Sequence, residues 1–325
     1  MRKVLWIQFK NEIIDTNLIY YMKKYTFLEA TECNMCGNPT PKNKIIGVRM
    51  NRSQGFRPLK NTGISLTILK CRSCHLIYSD PLPIPNDIHD HYGIPPEDYW
   101  ADWYFEPAPD YFKFQIAKAK ELMKSEGELR ALDIGSGIGK CMIALKENGF
   151  DAYGLEPSEP FRKMAITKMG IEPLRIEHKM IEDVDYPENH FDFVTFGAVL
   201  EHLYDPSENL KKVNKWLKPG GIVHAEIPSS DWLIPRFYNF FYRLIGSSFT
   251  SNLSPMHEPF HLFEFSLKSF EEFAGKNNFE IAFYYRTPGK VYYFPTFTHT
   301  IMKKIMIKTG TGMQLCVFMR KLKSN

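Results

Sequence analysis

Short apolar runs alternate with amphipathic stretches through the middle of the chain, between residues 130 and 227. This alternation is typical of repeated βαβ units, in which buried strands are separated by helices that cover a parallel sheet. The apolar runs predict strands at 130–134, 152–156, 191–196 and 221–227, with a further short strand near 174–176. An α/β fold with a largely parallel sheet is therefore expected.

Further elements are expected on both sides of this region. Apolar residues at helical spacing predict helices at 111–123 and 267–276, before and after the alternating stretch. An aromatic stretch at 229–259 separates the strand at 221–227 from the second of these helices and is interpreted as an insertion. Two late strands, near 279–285 and 290–294, would complete the sheet.

Changes in composition divide the chain into five segments. Pro81, Pro83 and Pro85 mark one boundary, because proline continues neither a helix nor a central strand. The segments are a leader that need not be ordered, a cysteine-bearing unit, a linker with a substrate-side segment, the α/β domain with its insertion, and a basic amphipathic tail. They cover residues 1–30, 31–80, 81–114, 115–300 and 301–325 in that order.

The overall composition is that of an ordinary globular protein, with 44% hydrophobic and 24% charged residues in a chain of 325. The 41 basic and 37 acidic residues give a formal charge of +4, which neither requires nor excludes an anionic partner. The basic tail leaves open whether it docks on the domain, on a membrane surface or on neither. Charges interrupt the apolar residues of 1–21 and 232–245, so no secretion signal or transmembrane segment is recognised and a cytoplasmic location is expected.

Four cysteines form two Cys-x2-Cys pairs, Cys33 with Cys36 and Cys71 with Cys74, separated by 34 residues. This spacing allows four thiolates to surround one tetrahedral ion, for which Zn²⁺ is the natural occupant. A fully ligated ion has no open position, so its role would be structural. The alternative is four buried or redox-active thiols that happen to be paired.

A glycine-rich turn follows the first predicted strand and precedes a helical run. Gly135, Gly137 and Gly139 come after Asp133 at the carboxyl end of that strand, where small residues let a cofactor approach the backbone. A dinucleotide fingerprint would need its third glycine at the position of Lys140, and the sequence has no P-loop pattern. The spacing therefore favours a cofactor without a pyrophosphate.

Carboxylates follow the next two strands, at places where a nucleoside could be bound. Glu156 ends the second strand, where a carboxylate can accept hydrogen bonds from both ribose hydroxyls. Glu182 and Asp183 follow the third strand, where a carboxylate can accept from an adenine amine. Asp183 is the preferred adenine ligand and Glu182 the second choice.

Taken together, the loop at 132–139, Glu156, the segment Phe191-Asp192-Phe193-Val194 and the segment at 217–221 resemble the ordered motifs of class I S-adenosylmethionine-dependent methyltransferases. The resemblance covers residues 115–295 and implies a Rossmann-like sheet of seven strands with the last strand antiparallel. It implies S-adenosylmethionine as the cofactor, bound by Asp133, Gly135, Ser136, Gly137, Gly139, Glu156, Pro157, Glu182, Asp183, Phe196 and Gly197. An unrelated doubly wound domain with a glycine turn is the alternative.

With the cysteine pairs in front, the chain also resembles bacterial sugar methyltransferases that carry an N-terminal zinc-binding unit. That likeness begins at residue 33, ends near residue 295 and is weakest in the aromatic insertion. It implies a small-molecule acceptor, a sugar or sugar-nucleotide of surface-polysaccharide or secondary metabolism, methylated on carbon or oxygen. An acceptor wall of aromatic side chains, or alternatively a part of the core, is expected from Tyr99, Trp100, Trp103, Tyr238 and Tyr242.

Glu201 and His202 follow the fourth strand, at the edge where open α/β sheets bind their ligands. His202 could accept a proton from the methyl acceptor, while Glu201 could orient it or act as the base itself. In the sugar C-methyltransferases that the chain resembles, a Glu-His pair at this point is implicated in catalysis. A packing or capping role is the alternative for the pair, and His261 is a second candidate whose structural role is favoured.

Two other functions stay open at this point. An RNA base methyltransferase is one alternative, because zinc knuckles precede the catalytic domain in some enzymes of that class. Nucleic acid is nevertheless not expected as a partner, since the basic residues of 31–80 are not clustered. A binding protein without activity is the other alternative, and the intact glycine loop disfavours it. The sequence indicates no particular oligomeric state.

Overall fold

The structure is a computed structural model that describes residues 24–52, 61–87, 96, 105, 110–123, 127–291 and 294–323. Its strands, in chain order, are β1 (Tyr25–Leu28), β2 (Lys44–Arg52), β3 (Asn61–Lys70), β4 (Ile77–Asp80), β5 (Leu82–Pro85), β6 (Leu129–Ile134), β7 (Phe150–Leu155), β8 (Ile176–Glu177), β9 (Phe191–Gly197), β10 (Leu217–Pro228), β11 (Phe263–Glu264), β12 (Phe279–Thr287) and β13 (Gln314–Lys321). Its helices are α1 (Lys113–Met123), α2 (Lys140–Glu147), α3 (Glu159–Thr167), α4 (Pro206–Trp216), α5 (Leu233–Leu244), α6 (Leu267–Ala274) and α7 (Thr296–Thr309).

Seven strands form the central sheet, in the spatial order β12-β13-β10-β9-β6-β7-β8. Neighbouring strands from β10 to β8 pair in parallel, whereas β13 runs antiparallel to both β10 and β12. The predicted α/β sheet of seven strands with an antiparallel last strand is confirmed. The chain order reverses between β6 and β9, and ligands of such sheets bind outside the carboxyl ends of the strands at that point.

Apolar residues cover both faces of this sheet. On one face, Ile116 of α1 belongs to the same cluster as Phe193 of β9 and Phe318 of β13. On the other face, Trp216 at the end of α4 and Phe270 of α6 pack in the cluster that contains the remaining core of the sheet. The first six residues of β9 are all buried, as expected of a parallel strand covered on both sides. This continuous burial explains why the apolar run at 191–196 predicted the strand correctly.

The last strand of the sheet lies in the segment that was expected to be a tail. Because β13 pairs with β10 on one side and β12 on the other, the α/β domain does not end at residue 300 and residues 301–325 are not a separate tail. The described residues of the strand expected at 290–294, Lys290, Val291 and Phe294, form no strand, while 292 and 293 lie outside the described residues. Positions 315–319 are buried in succession, but the lysines and arginines around them hide this short apolar run in the sequence.

Two smaller sheets contain the N-terminal strands. β1 and β5 pair antiparallel, with Tyr25 opposite Pro85 and Leu28 opposite Leu82. A second sheet has the order β11-β4-β3-β2. The expected boundaries at residues 30 and 80 are therefore wrong, because β1 lies before the first boundary and its partner β5 lies after the second.

The cysteine-bearing segment shares its core with the central sheet. Its four paired cysteines belong to one hydrophobic cluster with Leu132 of β6 and Val223 of β10. The sheet that contains β4 is completed by β11, whose Phe263 lies opposite Tyr78. The unit expected at 31–80 is therefore not an independent domain, because residues far along the chain supply both a strand and packing partners.

The aromatic insertion at 229–259 connects the central sheet with the smaller sheet that contains β2. It begins with α5 and continues along β2, where Phe249 forms a parallel bridge with Val48. The backbone N–H of Thr250 donates to the carbonyl oxygen of Val48 at 3.0 Å.

Within the described ranges, no helix combines the length and apolar character needed to cross a bilayer.

Candidate active site

A cavity of about 370 Å³ lies outside the carboxyl ends of β6, β7 and β9. Its wall is built from the loops that follow these strands and from the loop that follows β8. Those loops supply Gly135 and Gly137, Glu156 to Ser158, Lys179 to Glu182, Gly197 to Val199, and His202 to Tyr204. The cavity therefore occupies the crevice that the strand order predicts for a ligand.

The glycine loop after β6 forms one side of the cavity. Gly135 has a φ of 67°, and a Cβ atom there would lie 2.5 Å from Cγ2 of Val199, so only glycine fits. Gly137 has a φ of 55°, and a Cβ atom there would meet only Cδ1 of Phe161, at 3.9 Å. The space in front of Gly137 is thus open, which leaves its backbone accessible to a ligand in the cavity.

Glu156 is held on the cavity wall by two backbone hydrogen bonds. Its Oε1 atom accepts from the N–H of Ser158 and its Oε2 atom accepts from the N–H of Gly137, both at 2.7 Å. Burial raises the pKa of this carboxyl to about 7. Each carboxylate oxygen has a second acceptor position, so Glu156 can also accept from two hydroxyls of a ligand.

The remaining predicted cofactor ligands divide into two groups. Pro157, Glu182 and Gly197 line the cavity, as expected. The others lie outside the lining and support it or pack behind it; they are Asp133, Ser136, Gly139, Asp183 and Phe196.

Three of those supporting residues have identifiable roles in the fold. The hydroxyl of Ser136 donates to the carbonyl of Leu155 at 3.3 Å, which braces the glycine loop against β7. Phe196 is fully buried in the core. Asp133 is also buried, which raises the pKa of its carboxyl to about 8. These residues therefore shape the loop from behind.

Of the two carboxylates predicted as adenine ligands, Glu182 lines the cavity and Asp183, the preferred one in the sequence analysis, does not. Both belong to the single 3₁₀ turn Ile181–Asp183, in which only Glu182 and Ile181 reach the cavity. Oε1 of Glu182 accepts a hydrogen bond from Nδ2 of Asn209 at 2.8 Å. This bond orients the carboxylate beside the cavity.

Glu201 and His202 lie in the 3₁₀ turn Leu200–His202 directly after β9. The two side chains diverge: His202 lines the cavity, whereas Glu201 is 1% exposed and lies behind it. Nδ1 of His202 is 3.3 Å from the carbonyl oxygen of Phe260. Because a carbonyl only accepts, Nδ1 carries the proton and Nε2 has the lone pair. That Nε2 atom lies 3.9 Å from Oε1 of Glu201.

His261 completes a group of three with Glu201 and His202. Its Nε2 atom is 4.0 Å from the same Oε1 atom of Glu201, and its ring centre is 5.0 Å from that of His202. The backbone N–H of Leu262 donates to the carbonyl oxygen of Glu201 at 2.9 Å, which fixes the His261 loop against the turn. The second candidate histidine of the sequence analysis therefore lies beside the first.

Burial sets the charges of this group of three. It raises the pKa of Glu201 to about 8 and lowers the pKa of His202 to about 4, while the pKa of His261 falls well below its usual value. At neutral pH the carboxyl is mostly protonated and both imidazoles are neutral. Oε2 of Glu201 has no hydrogen-bond partner in the described part of the chain. Titratable groups whose pKa values are driven apart in this way are typical of acid-base sites.

Sequence reasoning missed several side chains on the cavity wall. They carry no motif and are apolar, aromatic or isolated in the sequence; they are Tyr111, Phe161, Lys179, Met180, Val199, Leu203 and Tyr204. Of the expected aromatic wall, Tyr238 packs on Phe294 and Tyr242 packs on Phe249, away from this lining. Tyr99, Trp100 and Trp103 lie outside the described residues.

The four paired cysteines converge in the core. Sγ of Cys33 is 3.4 Å from Sγ of Cys74, and Sγ of Cys36 is 3.6 Å from Sγ of Cys71. All four sulfur atoms lie within 4.8 Å of one another. A tetrahedral zinc ion with bonds of about 2.3 Å separates its sulfur ligands by about 3.8 Å, so the donor set fits that ion.

The cysteine cluster is bonded to the α/β domain at its periphery. Nδ2 of Asn34 donates to Oδ1 of Asp205 at 2.8 Å, at the beginning of α4. Nζ of Lys276 donates to the carbonyl oxygen of Cys36 at 2.7 Å. The hydroxyl of Ser266 donates to the carbonyl oxygen of Cys74 at 2.5 Å. The cluster thus connects the N-terminal strands to α4 and α6.

The sequence is similar to those of known methyltransferases. Residues 102–282 match a family model described as a methyltransferase domain. Over 171 residues the chain is 30% identical to a demethylmenaquinone methyltransferase of Geobacillus stearothermophilus, which covers 50% of this chain and 70% of that protein. Over 108 residues it is 32% identical to a ubiquinone biosynthesis O-methyltransferase of Bradyrhizobium diazoefficiens, covering 33% and 42% of the two chains.

Solved structures with a similar fold include two S-adenosylmethionine-dependent methyltransferases. One, from Mesorhizobium loti, is 16% identical, covers 67% of this chain and 100% of its own, and has a TM-score of 0.46. The other, from Archaeoglobus fulgidus, is 16% identical, covers 67% and 96%, and has a TM-score of 0.44. On the strength of the family match and the curated relatives, the chain belongs to the methyltransferase-domain family and is an S-adenosylmethionine-dependent methyltransferase.

Proposed function

We propose that this enzyme methylates an oxygen or carbon atom of a small hydroxylated acceptor, a sugar derivative, and that His202 removes the acceptor's proton. The observation that carries the proposal is the position of His202. Its ring lines the cavity, and its Nε2 lone pair lies 3.9 Å from the carboxyl of Glu201. A proton acceptor on the cavity wall with a carboxyl behind it suits methylation of a group that must lose a proton.

The cavity wall fits S-adenosylmethionine. Gly137 leaves room along the backbone, Glu156 accepts from the ribose hydroxyls, and Glu182 accepts from the adenine amine. The volume of about 370 Å³ is within the usual range for small-molecule sites. When bound, the cofactor supplies a methyl group that is already activated by a positive sulfur. The protein must then align the acceptor and remove its proton.

Proton removal divides between two residues in this proposal. Nδ1 of His202 keeps its proton on the carbonyl oxygen of Phe260, so Nε2 takes up the acceptor's proton. Ionised Glu201 stabilises the imidazolium that results, because the two groups are close and buried. His261 lies close to the same carboxyl of Glu201. In this proposal it holds the turn Leu200–His202 in place and does not accept the proton. After transfer, the proton leaves His202 when product is released.

The acceptor class is inferred from the resemblance and the relatives. The arrangement of the cysteine pairs and the Glu-His pair resembles that of sugar methyltransferases, and the curated relatives are named for small molecules. A base on the cavity wall is suited to hydroxyls and to carbons beside a carbonyl, both of which occur in sugars. RNA is a less suitable acceptor, since among the described residues of the wall only Lys179 is a lysine or arginine.

We further propose that Cys33, Cys36, Cys71 and Cys74 bind one structural zinc ion. The sulfur separations lie close to the edge of a zinc-thiolate tetrahedron, and the cluster is buried. Four sulfur ligands leave no position for substrate, so the ion stabilises the junction between the N-terminal strands and the α/β domain.

The proposal is tested by binding and then by transfer. Calorimetric titration with S-adenosylhomocysteine should give micromolar affinity, and metal analysis should find one zinc ion per chain. Radiolabelled methyl transfer is then measured with nucleotide-activated sugars, with a reduced naphthoquinone and with transfer RNA. Transfer to a sugar that is slowed about 100-fold in His202→Ala supports the proposal. His190→Ala is a matched control, because His190 precedes β9 at the opposite edge of the sheet. Transfer to the quinone or RNA but not to any sugar overturns the acceptor assignment.

A further inference from the structure

Helix α5 presents its apolar stripe outward. Phe237, Phe240, Phe241 and Leu244 follow the spacing i, i+3, i+4, i+7, which in a globular protein faces the core. In this helix all four are exposed, Phe240 by 59% and Leu244 by 68%, while the opposite side of the helix buries Pro235 and Asn239. The stripe is therefore available to something other than the core of this chain.

Helix α7 adds a second exposed stripe beside the first. Phe297, Ile301 and Ile305 recur at every fourth position and are exposed, Phe297 by 80% and Ile301 by 61%. The two helices share one small cluster, to which α5 contributes Ile234 and α7 contributes Met306. Their exposed apolar residues thus belong to neighbouring elements, which together we call the two-helix surface (Leu233–Leu244 and Thr296–Thr309).

The charges on the two-helix surface have one sign. The helices contain Arg236, Arg243, Lys303, Lys304 and Lys308, and neither contains an aspartate or a glutamate. Arg236 pairs with an aspartate just before α5, whereas the three lysines form no ion pair within the described ranges. Exposed apolar residues with flanking cations on a helix too short to span a bilayer are characteristic of helices that lie in a membrane interface.

We infer that the two-helix surface binds an anionic phospholipid membrane. Lipid acyl chains accept the phenylalanine and isoleucine side chains, and anionic headgroups pair with the lysines. A second copy of the chain fits less well, because self-association would bring these cations together with no carboxylate from either helix to neutralise them.

The surface lies at the same edge of the central sheet as the cavity. α5 follows the carboxyl end of β10, and α7 lies between the end of β12 and the start of β13. β12 is parallel to β10 because both run antiparallel to β13, so both helices leave the sheet at its carboxyl edge. A membrane bound there would be on the cofactor side of the sheet.

The test is flotation of the full-length protein with lipid vesicles in a density gradient. We expect it to float with vesicles of phosphatidylcholine mixed with phosphatidylglycerol, and to float less with phosphatidylcholine alone or at high salt. Phe240→Glu and Ile301→Glu should each weaken binding about tenfold, since each removes one exposed apolar side chain that the membrane would bury. Leu174→Glu is the matched control, because Leu174 is 93% exposed on a different part of the molecule.

Two outcomes would overturn the inference. The first is wild-type protein that stays at the bottom of the gradient with the anionic vesicles. The second is a wild-type dimer in sedimentation velocity without lipid that both glutamate variants dissociate, which would assign the surface to a second copy. Circular dichroism of the variants checks that they fold, and neither substitution removes a core residue. Methyl transfer is not involved, so the result is independent of the proposed acceptor.

Discussion

Nε2 of His202 lies 3.9 Å from Oε1 of Glu201, although the two residues are neighbours in the chain and only His202 lines the cavity. The 3₁₀ turn after β9 makes this possible, because its tight backbone sends one side chain into the cavity and the other into the core. The proposed base and the carboxyl proposed to support it therefore come from one short turn. Their pKa values are set by burial, which the following predictions use.

Methyl transfer should accelerate as pH rises through about 8. Burial raises the pKa of Glu201 to about 8, so this carboxyl ionises only above that pH, whereas His202 is neutral above about pH 4. Ionised Glu201 is needed to stabilise the imidazolium form of His202. Steady-state kcat of the wild-type enzyme, measured from pH 6 to 9, should therefore be low at the acid end and rise through about pH 8; this rise is the acid limb of the profile. A Glu201→Gln enzyme should be slower by about 100-fold and lack the limb, and retention of the limb would assign it to another group.

Cofactor binding should be tighter at pH 8 than at pH 6. Burial raises the pKa of Glu156 to about 7, and only the ionised carboxylate accepts from both ribose hydroxyls. A group with this pKa changes from mostly protonated to mostly ionised between those pH values, which allows a gain of up to about tenfold in affinity. Calorimetric titration with S-adenosylhomocysteine at both pH values measures this gain in affinity. Glu156→Gln should bind more weakly with a flat profile, and an unchanged slope would exclude Glu156 as its origin.

Gly137→Val should abolish cofactor binding while leaving the chain folded. The valine side chain would occupy the open space in front of the loop, where the nearest heavy atom is 3.9 Å away. Gly149→Val is the control, since Gly149 also has a positive φ, 83°, open space around it and no place in the cavity lining. In both variants a valine must adopt a positive φ, which costs a similar conformational energy. Melting temperatures should fall equally, and normal affinity in Gly137→Val would contradict the site assignment.

The ligand-free protein should lose stability as pH rises from about 4.5 to about 8. The folded state binds the proton of Glu201 more tightly than the unfolded chain does, since its pKa is raised from 4.5 to about 8. A raised pKa contributes stability that is complete below the unfolded value and lost as pH passes the folded value. Glu201→Gln should therefore show a shallower fall in melting temperature, by at least about 2 °C at pH 8. Parallel curves would show that Glu201 is not protonated in the fold.

Loss of one cysteine ligand should remove the zinc ion and destabilise more than the N-terminal strands. Cys36→Ser should reduce zinc content below one ion per chain and lower the melting temperature of the whole protein, because the cysteines share a core with the central sheet. Cys316→Ser is the control, since Cys316 is a buried thiol of β13 outside the cluster. Full zinc content in Cys36→Ser would overturn the ligand set.

Local sequence patterns predicted the elements that form without help from distant parts of the chain. Four of the six residues at 191–196 are apolar, with only Asp192 and Thr195 between them, so β9 was recognisable without its neighbours. The glycine loop and Glu156 were found for a similar reason, because the backbone of a cofactor turn needs particular residues at fixed spacing. The group at the carboxyl end of β9 was only half predicted. Nothing near His261 in the sequence indicates that it contacts Glu201, since the insertion and β11 bring it there.

Other elements depend on partners that are distant in the chain. β11 has two residues, Phe263 and Glu264, and it is a strand only because β4 pairs with it. β13 was mistaken for part of a tail because its apolar run is short and surrounded by cations. The outward stripe of α5 was also hidden, since amphipathic spacing shows that a helix has two faces but not which one meets solvent.

The central position of β13 affects how the protein folds as it is synthesised. Until residues 314–321 have left the ribosome, β10 and β12 each have an unpaired edge and cannot form one sheet. Unpaired edges readily pair with other chains, so the nascent polypeptide passes through a stage that is prone to aggregation. Folding of the catalytic domain is therefore completed only once β13 has emerged, and shielding of those edges in the meantime would govern how much active enzyme a cell obtains.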